Sequence, residues 1–320
     1  MTDSYAAYSL FHQDWWLDAV APDQWSEVTV RRDGKIVARI PYQLEKRRGI
    51  TALNMPPLTQ KLGPWLAPSD AKESTRLGLE KSLMNELIDQ LPPHDYFSQN
   101  FHAEVTNWLP FYWRGFQQTT RYSYVISDLT NLDETWAAVD SKCRNTIRKA
   151  ETREQLQVEM TEDLNTFIDL NESVFRRQGL KPPHEPTLIR RIDAACAERD
   201  CRRIFFARDP AGRVHAALYL VWDSGAAYYL MGGTDPELRN SGAGNLLIWE
   251  AIQFSASLTR AFDFEGSMIE PIESFFRSFG ARQSPYSYVS RKSNRFALIA
   301  GARDVLSKTR KTGRRQTPRT

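Results

Sequence analysis

Arg239-Asn240-Ser241-Gly242-Ala243-Gly244-Asn245 is the stretch on which the reading of this chain turns. An apolar, aromatic run from Ala226 to Met231 precedes it, followed by the turn Gly232-Gly233-Thr234-Asp235-Pro236. After it come Leu246, Leu247, Ile248, Trp249 and Ile252 in a run that reaches Ser257. The pattern predicts a strand, a glycine-containing turn and a helix. The first N–H groups of a helix lack intrahelical partners, and the helix dipole favours negative charge beside them. Gly242 and Gly244 allow the backbone to come close to such a charge, and Arg239 adds a cation. The spacing therefore describes an anion site. A lone Gly-x-Gly is also an ordinary turn, so spacing alone leaves both readings open.

Working outward, Ala261 to Glu265 reads as a short strand, Ile272 to Phe279 as a helix and Tyr286 to Arg291 as a closing strand. Alternation puts Asp263 and Glu265 on one side of that strand. Two acids on an apolar strand are costly to bury unpaired, which predicts a strand end or a cleft. Upstream, Gln155 to Met160 reads as a strand, Asp163 to Gln178 and Pro186 to Glu198 as helices, and Arg202 to Arg208 with Arg213 to Trp222 as a hairpin. The first part of the chain has the same kind of content. Glu27 to Arg32 and Lys35 to Tyr42 form a hairpin around Asp33-Gly34. Ser69 to Leu91 is a helix, Asp95 to Phe101 and Arg121 to Ser127 are strands, and Asp133 to Thr152 is one helix. The two hairpins share the order apolar strand, Arg-Asp, Gly, base, apolar strand, which suggests two copies of one α/β unit.

The bulk numbers bound the function. The chain has 320 residues, enough for two compact units, with an ordinary 41% hydrophobic and 25% charged content. No apolar run approaches the roughly 20 residues of a membrane helix. Met1-Thr2-Asp3-Ser4-Tyr5 does not open a secretory signal, and a cytoplasmic location is expected. Cys143, Cys196 and Cys201 fit free thiols, not a zinc site. The net charge of +3 hides a division: residues 301–320 carry +6 and residues 1–300 carry −3. That basic tail is too polar to fold alone, and it is either solvated or a contact for RNA or an anionic membrane. The sequence contains no nucleophile elbow, no Walker loop and no metal-ligand cluster.

Arg239-x-x-Gly242-x-Gly244 resembles the acyl-CoA signature R/Q-x-x-G-x-G/A of the GNAT acetyltransferases. Further stretches resemble the FemAB/FemX-type and "acetyltransferase 6" branches of that superfamily: Ser141 to Ala150, Tyr229 to Thr234 running to Leu247 to Ile252, and Phe262 to Gly266 followed by Phe275 to Gly280. The resemblance is strong over 135–290 and looser over 8–130. It implies an α/β (α+β) protein of two GNAT-like lobes, each a mixed, mostly antiparallel sheet flanked by helices. The expected divisions are an acceptor-side lobe at 1–150, a catalytic lobe at 151–300 and the tail at 301–320. The implied activity is transfer of an acyl group from acyl-CoA, with acetyl-CoA the first candidate, to a primary amine of a small molecule, amino sugar or nucleotide-linked acceptor. In the Fem enzymes the donor is an aminoacyl-tRNA, which makes that the alternative; a non-catalytic nucleotide-sugar or RNA module is the third reading. Two features depart from the Fem pattern. Phe276-Arg277 stands where those enzymes carry Phe-Lys, and no long heptad arm is visible.

The resemblance assigns donor binding to Arg239, Ser241, Gly242, Ala243, Gly244 and Asn245. Asp263 or Glu265 would be the base that deprotonates the amine. Tyr229 is a candidate acid for the leaving group, and Arg277 supplies charge nearby. Lys142, Arg144 and Arg148, at helical spacing, would meet acceptor or tRNA phosphates. Trp65 and His184, on loops, are further acceptor contacts. Each has a plainer alternative: an ion pair for the acids, a packed ring for the aromatics, a solvated face for the basic run.

Overall fold

The computed structural model describes residues 7–266 and 268–298. The expected contacts of the 301–320 tail lie outside them. In chain order the elements are helix α1 (Asp14–Val20), strands β1 (Trp25–Arg32), β2 (Lys35–Arg47), β3 (Ile50–Asn54) and β4 (Trp65–Leu66), then α2 (Glu73–Gln90), β5 (Tyr96–Asn100), α3 (Leu109–Trp113) and β6 (Gln117–Ile126). Helices α4 (Leu132–Ala138) and α5 (Ser141–Thr152) follow, then β7 (Gln157–Thr161), α6 (Leu164–Arg177), α7 (Pro186–Ala197), β8 (Arg202–Arg208), β9 (Val214–Trp222) and β10 (Ala226–Thr234). The last are α8 (Ala243–Ser255), β11 (Ala261–Asp263), α9 (Glu270–Arg277) and β12 (Arg282–Lys292).

The strands make one sheet in the order β1-β2-β3-β5-β12-β6-β11-β10-β9-β8-β7, with β4 beside β2. All neighbours are antiparallel except β3 with β5 and β10 with β11. Each parallel pair is joined through a helix, α2 in the first half and α8 in the second, because parallel neighbours need a long crossover. The repeat suggested by the two hairpins is thus visible in topology: an antiparallel meander, a helical crossover and a parallel strand, twice. The halves meet where β11 pairs with β6, Phe262 opposite Ile126 and Asp263 opposite Val125. β12, late in the sequence, lies between β5 and β6.

Three cores cover the sheet. One gathers α5, α8 and α9 on the second half, where Ile147, Leu247, Ile252, Phe262 and Phe279 are buried. Another packs α1, α6 and α7 on the opposite face around Trp16, Phe167, Ile192 and Tyr219. The third holds α2 and α3 on the first half around Leu87, Phe97 and Phe111. No helix among the described residues is long and apolar enough to cross a membrane.

One predicted element divides. The single helix expected over Asp133 to Thr152 breaks at Val139-Asp140, both with extended ψ. Arg144 makes the break stable. Its Nη1 donates to the carbonyls of Trp136 at 3.2 Å and Ala137 at 2.9 Å, and also to that of Val139. These carbonyls lie at and just beyond the C-terminus of α4, where the helical ladder runs out of donors.

Candidate functional site

β10 pairs with β9 along most of its length, with an irregularity between Tyr229 and Met231. It pairs with β11 only over Ala226, Ala227 and Tyr228. From Tyr229 onward its second edge is unpaired and the sheet splays. Helix α6 closes tightly on this part of β10. A Cβ built at Gly233 would lie 2.6 Å from the backbone of Leu170 and Asn171. Asn171 Nδ2 donates to the Gly232 carbonyl at 2.8 Å.

The splay opens into two clefts. The first, about 220 Å³, is lined by Ala217, Gly233, Gly244, Leu247, Ile248 and Phe275 among others. The second, about 350 Å³, is lined by Gln60, His184, Phe264, Glu265 and Phe276 among others. Tyr229 and Gly232 line both.

The first cleft meets the N-terminus of α8. Gly242 caps that helix in the left-handed region at φ +80°, and no side chain caps it. The first intrahelical bond runs from Leu246 N to Gly242 O. The N–H groups of Ala243, Gly244 and Asn245 therefore precede the helical ladder and remain for a ligand. Gly242 is also needed sterically, since a Cβ there would meet Thr146 Cγ2 at 2.9 Å. Gly244 faces open space: a Cβ there has nothing within 4 Å. Arg239 is exposed beside this turn. Ser241 Oγ is buried without a partner. Asn245 turns away, its Nδ2 donating to Cys143 Sγ at 3.3 Å, which makes it a tie between α8 and α5.

Asp263 and Glu265 are both buried, but not in the same way. The strand ends at Asp263, and Glu265 sits at φ +60°, so strict alternation does not continue between them. Asp263 is saturated: Lys61 pairs with Oδ2, Ser123 donates to Oδ1, and the Glu265 N–H donates to Oδ1 at 2.7 Å. The partner of the acid pair is thus Lys61, not Arg277 or Arg282. Glu265 is 5% exposed and lines the second cleft; the Gln60 side chain lies beside it, and no donor among the described residues meets either oxygen at full hydrogen-bond geometry. Burial pushes its carboxyl well above the ordinary carboxylate range, and Asp263 adds to the rise; Lys61 and the nearby Gln60 oppose it.

Tyr229 packs edge-on to Phe276, ring centroids 5.8 Å apart. Its hydroxyl lies over Gly232, where a Cβ would come within 2.0 Å of it. Burial pushes the phenol up to about 12. His184 lines the second cleft, and burial lowers its pKa, favouring the neutral ring.

The remaining predicted residues are not brought to either cleft. Arg277 is exposed and pairs with Glu273 at 2.9 Å one helical turn back. Arg144 is committed to the carbonyls of α4. Arg148 lies over the Trp136 ring at 5.7 Å, and Lys142 is exposed on the same helix. Trp65 is 3% exposed, in a strand paired with β2, and is a core residue. Lys61 and Gln60 went unseen in the sequence. They sit in a proline-bounded loop with no periodicity, and only the chain path carries them to the acid pair.

The α/β fold thus brings an uncapped helix terminus and a buried carboxyl to two clefts that share a wall. Residues 138–267 match the sequence family described as Acetyltransferase (GNAT) domain. Over those residues the chain is similar to a GNAT acetyltransferase domain. FemX has a similar structure, with a TM-score of 0.66 at 14% identity over 89% of this chain and 93% of that one. A tandem GNAT protein from the clavulanic acid biosynthesis pathway gives 0.50 at 11%, over 84% and 82%. L-PGS from Bacillus licheniformis gives 0.50 at 12%, over 82% and 83%. At these identities the likeness is one of fold. No curated protein sequence matches the chain.

Proposed function

We propose that this chain is an N-acyltransferase that binds acyl-CoA in the cleft at Gly244 and passes the acyl group to a primary amine held at Glu265. The observation that carries this reading is that the two clefts share Tyr229 and Gly232. A donor in one and an acceptor in the other would meet at that point.

The first cleft suits acyl-CoA. The uncapped N-terminus of α8 offers N–H groups and a positive dipole end to a pyrophosphate, with Arg239 exposed beside it. The edge of β10 beyond Tyr228 offers backbone N–H groups to the amides of an extended pantetheine arm, as a strand edge does to a peptide, while its Gly232 and Thr234 carbonyls are taken by Asn171 and Ser173. Gly232, Gly233 and Gly244 keep the walls thin.

At the meeting point Glu265 takes a proton from the acceptor ammonium, leaving a nucleophilic amine. The nitrogen attacks the thioester carbonyl; the C–N bond forms and the C–S bond breaks. The second nitrogen proton neutralises the departing thiolate. Tyr229, held protonated by burial, serves as a hydrogen-bond donor to that sulfur more than as a full proton source. Asp263, fixed by Lys61 and Ser123, holds the Glu265 backbone N–H and so positions the base. Holding both reactants in one geometry supplies the rest of the rate gain.

The test is incubation of the purified chain with acetyl-CoA and a panel of primary amines, followed by mass spectrometry. The expected result is an acetylated amine with stoichiometric CoA release, unaffected by ribonuclease. Product formed only from aminoacyl-tRNA, and abolished by ribonuclease, would replace this reading with the Fem-like one.

A further inference from the structure

The second cleft also constrains what the acceptor is. Resting on the acyl-transfer reading above, we propose that the acceptor is a small primary amine on an apolar, uncharged body, its amino group seated against Glu265, and not a phosphate-bearing or nucleotide-linked amine.

The walls of the cleft make the first part of the case. Leu58, Phe175, Met231, Phe264, Ile272 and Phe276 line it, and no Lys or Arg among the described residues does. Lys61, next to the lining Gln60 in sequence, is itself 5% exposed and has its ammonium paired with Asp263. His184 is kept toward its neutral form by burial. The positive end of α8 serves the other cleft through Gly244. A phosphate entering here would give up its hydration with no cation to meet it, which is strongly unfavourable. An apolar body would bury favourably against the same walls. The volume of about 350 Å³ stands at the small end of ligand pockets, which span roughly 300–1,000 Å³.

Glu265 makes the second part. It is a buried carboxyl on the cleft wall, with the Gln60 amide beside it and no donor among the described residues at full hydrogen-bond geometry to either oxygen. A buried polar group left without partners is costly, so it marks a place where a donor is expected. A primary ammonium brings three donors and the opposite charge. A free amine entering beside protonated Glu265, and an ammonium entering beside the ionised form, give the same pair. The other polar groups on the wall are few. Asn171 donates to the Gly232 carbonyl, and Gln60, Tyr229 and the neutral His184 are placed to orient the acceptor. The nucleotide-linked acceptor expected from sequence drew its phosphate contacts from Lys142, Arg144 and Arg148. Those side chains line neither cleft.

The experiment is calorimetric titration of the full chain, without donor, by 2-phenylethylamine, 2-phenylethanol and glucosamine 6-phosphate, with CoA titrated separately. The expected result is binding of 2-phenylethylamine, at least tenfold weaker binding of glucosamine 6-phosphate, and at least tenfold loss of the amine in Glu265→Gln. Binding of 2-phenylethanol should be weak and unchanged by that substitution. Should Glu265→Gln fail to fold, the comparison of the amine with its alcohol on the unsubstituted protein carries the test. Glucosamine 6-phosphate binding as tightly as 2-phenylethylamine would overturn the proposal, as would amine and alcohol binding alike. CoA binding without amine binding sinks the acceptor inference and leaves the donor reading standing. Amine binding without CoA binding does the reverse.

Discussion

Glu265 is the residue on which the proposed chemistry rests, and its burial makes a stability prediction independent of any substrate. Its folded pKa lies above its unfolded value. The stability this proton contributes is complete below the unfolded pKa of about 4.5 and is lost as pH rises through the folded value. Glu265→Gln removes the titration. The stability of the variant relative to the unsubstituted protein should therefore rise between pH 4 and pH 8, by at most about 1.4 kcal/mol per pH unit. Urea unfolding at several pH values measures it; a difference that does not change with pH would mean an unperturbed carboxyl. The same shift bears on rate. A base with a raised pKa is ionised only at higher pH, so the acid limb of kcat/KM should sit above the ordinary carboxylate range. Sequence singled out both acids but could not divide their roles. The division comes from Lys61, 202 residues before Asp263 in the chain, which forms its ion pair with Asp263 and not with Glu265.

At the scale of elements, the turn before α8 and the splay of β10 from β11 form the cleft proposed for the donor. The strand, turn and helix were all legible around residues 226–257, because glycines and apolar periodicity mark them locally. The splay was not, since it depends on β11 stopping at Asp263 while β10 continues to Thr234. The two glycines of the turn have different duties. Gly242 needs its left-handed backbone and its close approach to Thr146, whereas Gly244 has open space before it. Gly242→Ala should therefore cost about 1–3 kcal/mol in backbone strain and contact. Gly244→Ala should be neutral or stabilising by up to about 1 kcal/mol. Chemical denaturation separates them, and equal effects would contradict the tight packing of the turn on α5. Arg144 illustrates the limit of reading charge spacing. Its place in a basic helical run looked like a phosphate contact, yet the break at Val139 gave it carbonyls to cap.

At the scale of the whole molecule, two similar halves share one sheet. The hairpins at 25–47 and 202–222 were readable because strand alternation and Asp-Gly or Asp-Pro-Ala-Gly turns are local signals. The insertion of β12 between β5 and β6 was not, because strand order is fixed by pairing partners far apart in sequence. The long-range arrangement also brings the loop of Gln60 and Lys61 from the first half against Asp263 and Glu265 of the second. The cleft proposed for the acceptor thus draws on both halves, while the one proposed for the donor is lined from the second alone. That asymmetry permits a test of the donor site without disturbing the acceptor. Titrating CoA into the unsubstituted protein and into Gly244→Trp is the most direct measurement. The expected result is CoA binding that falls at least tenfold in the variant, with the unfolding midpoint nearly unchanged, because the indole fills a cleft and not the core. CoA binding equally tightly to both proteins would place the donor elsewhere and contradict the account.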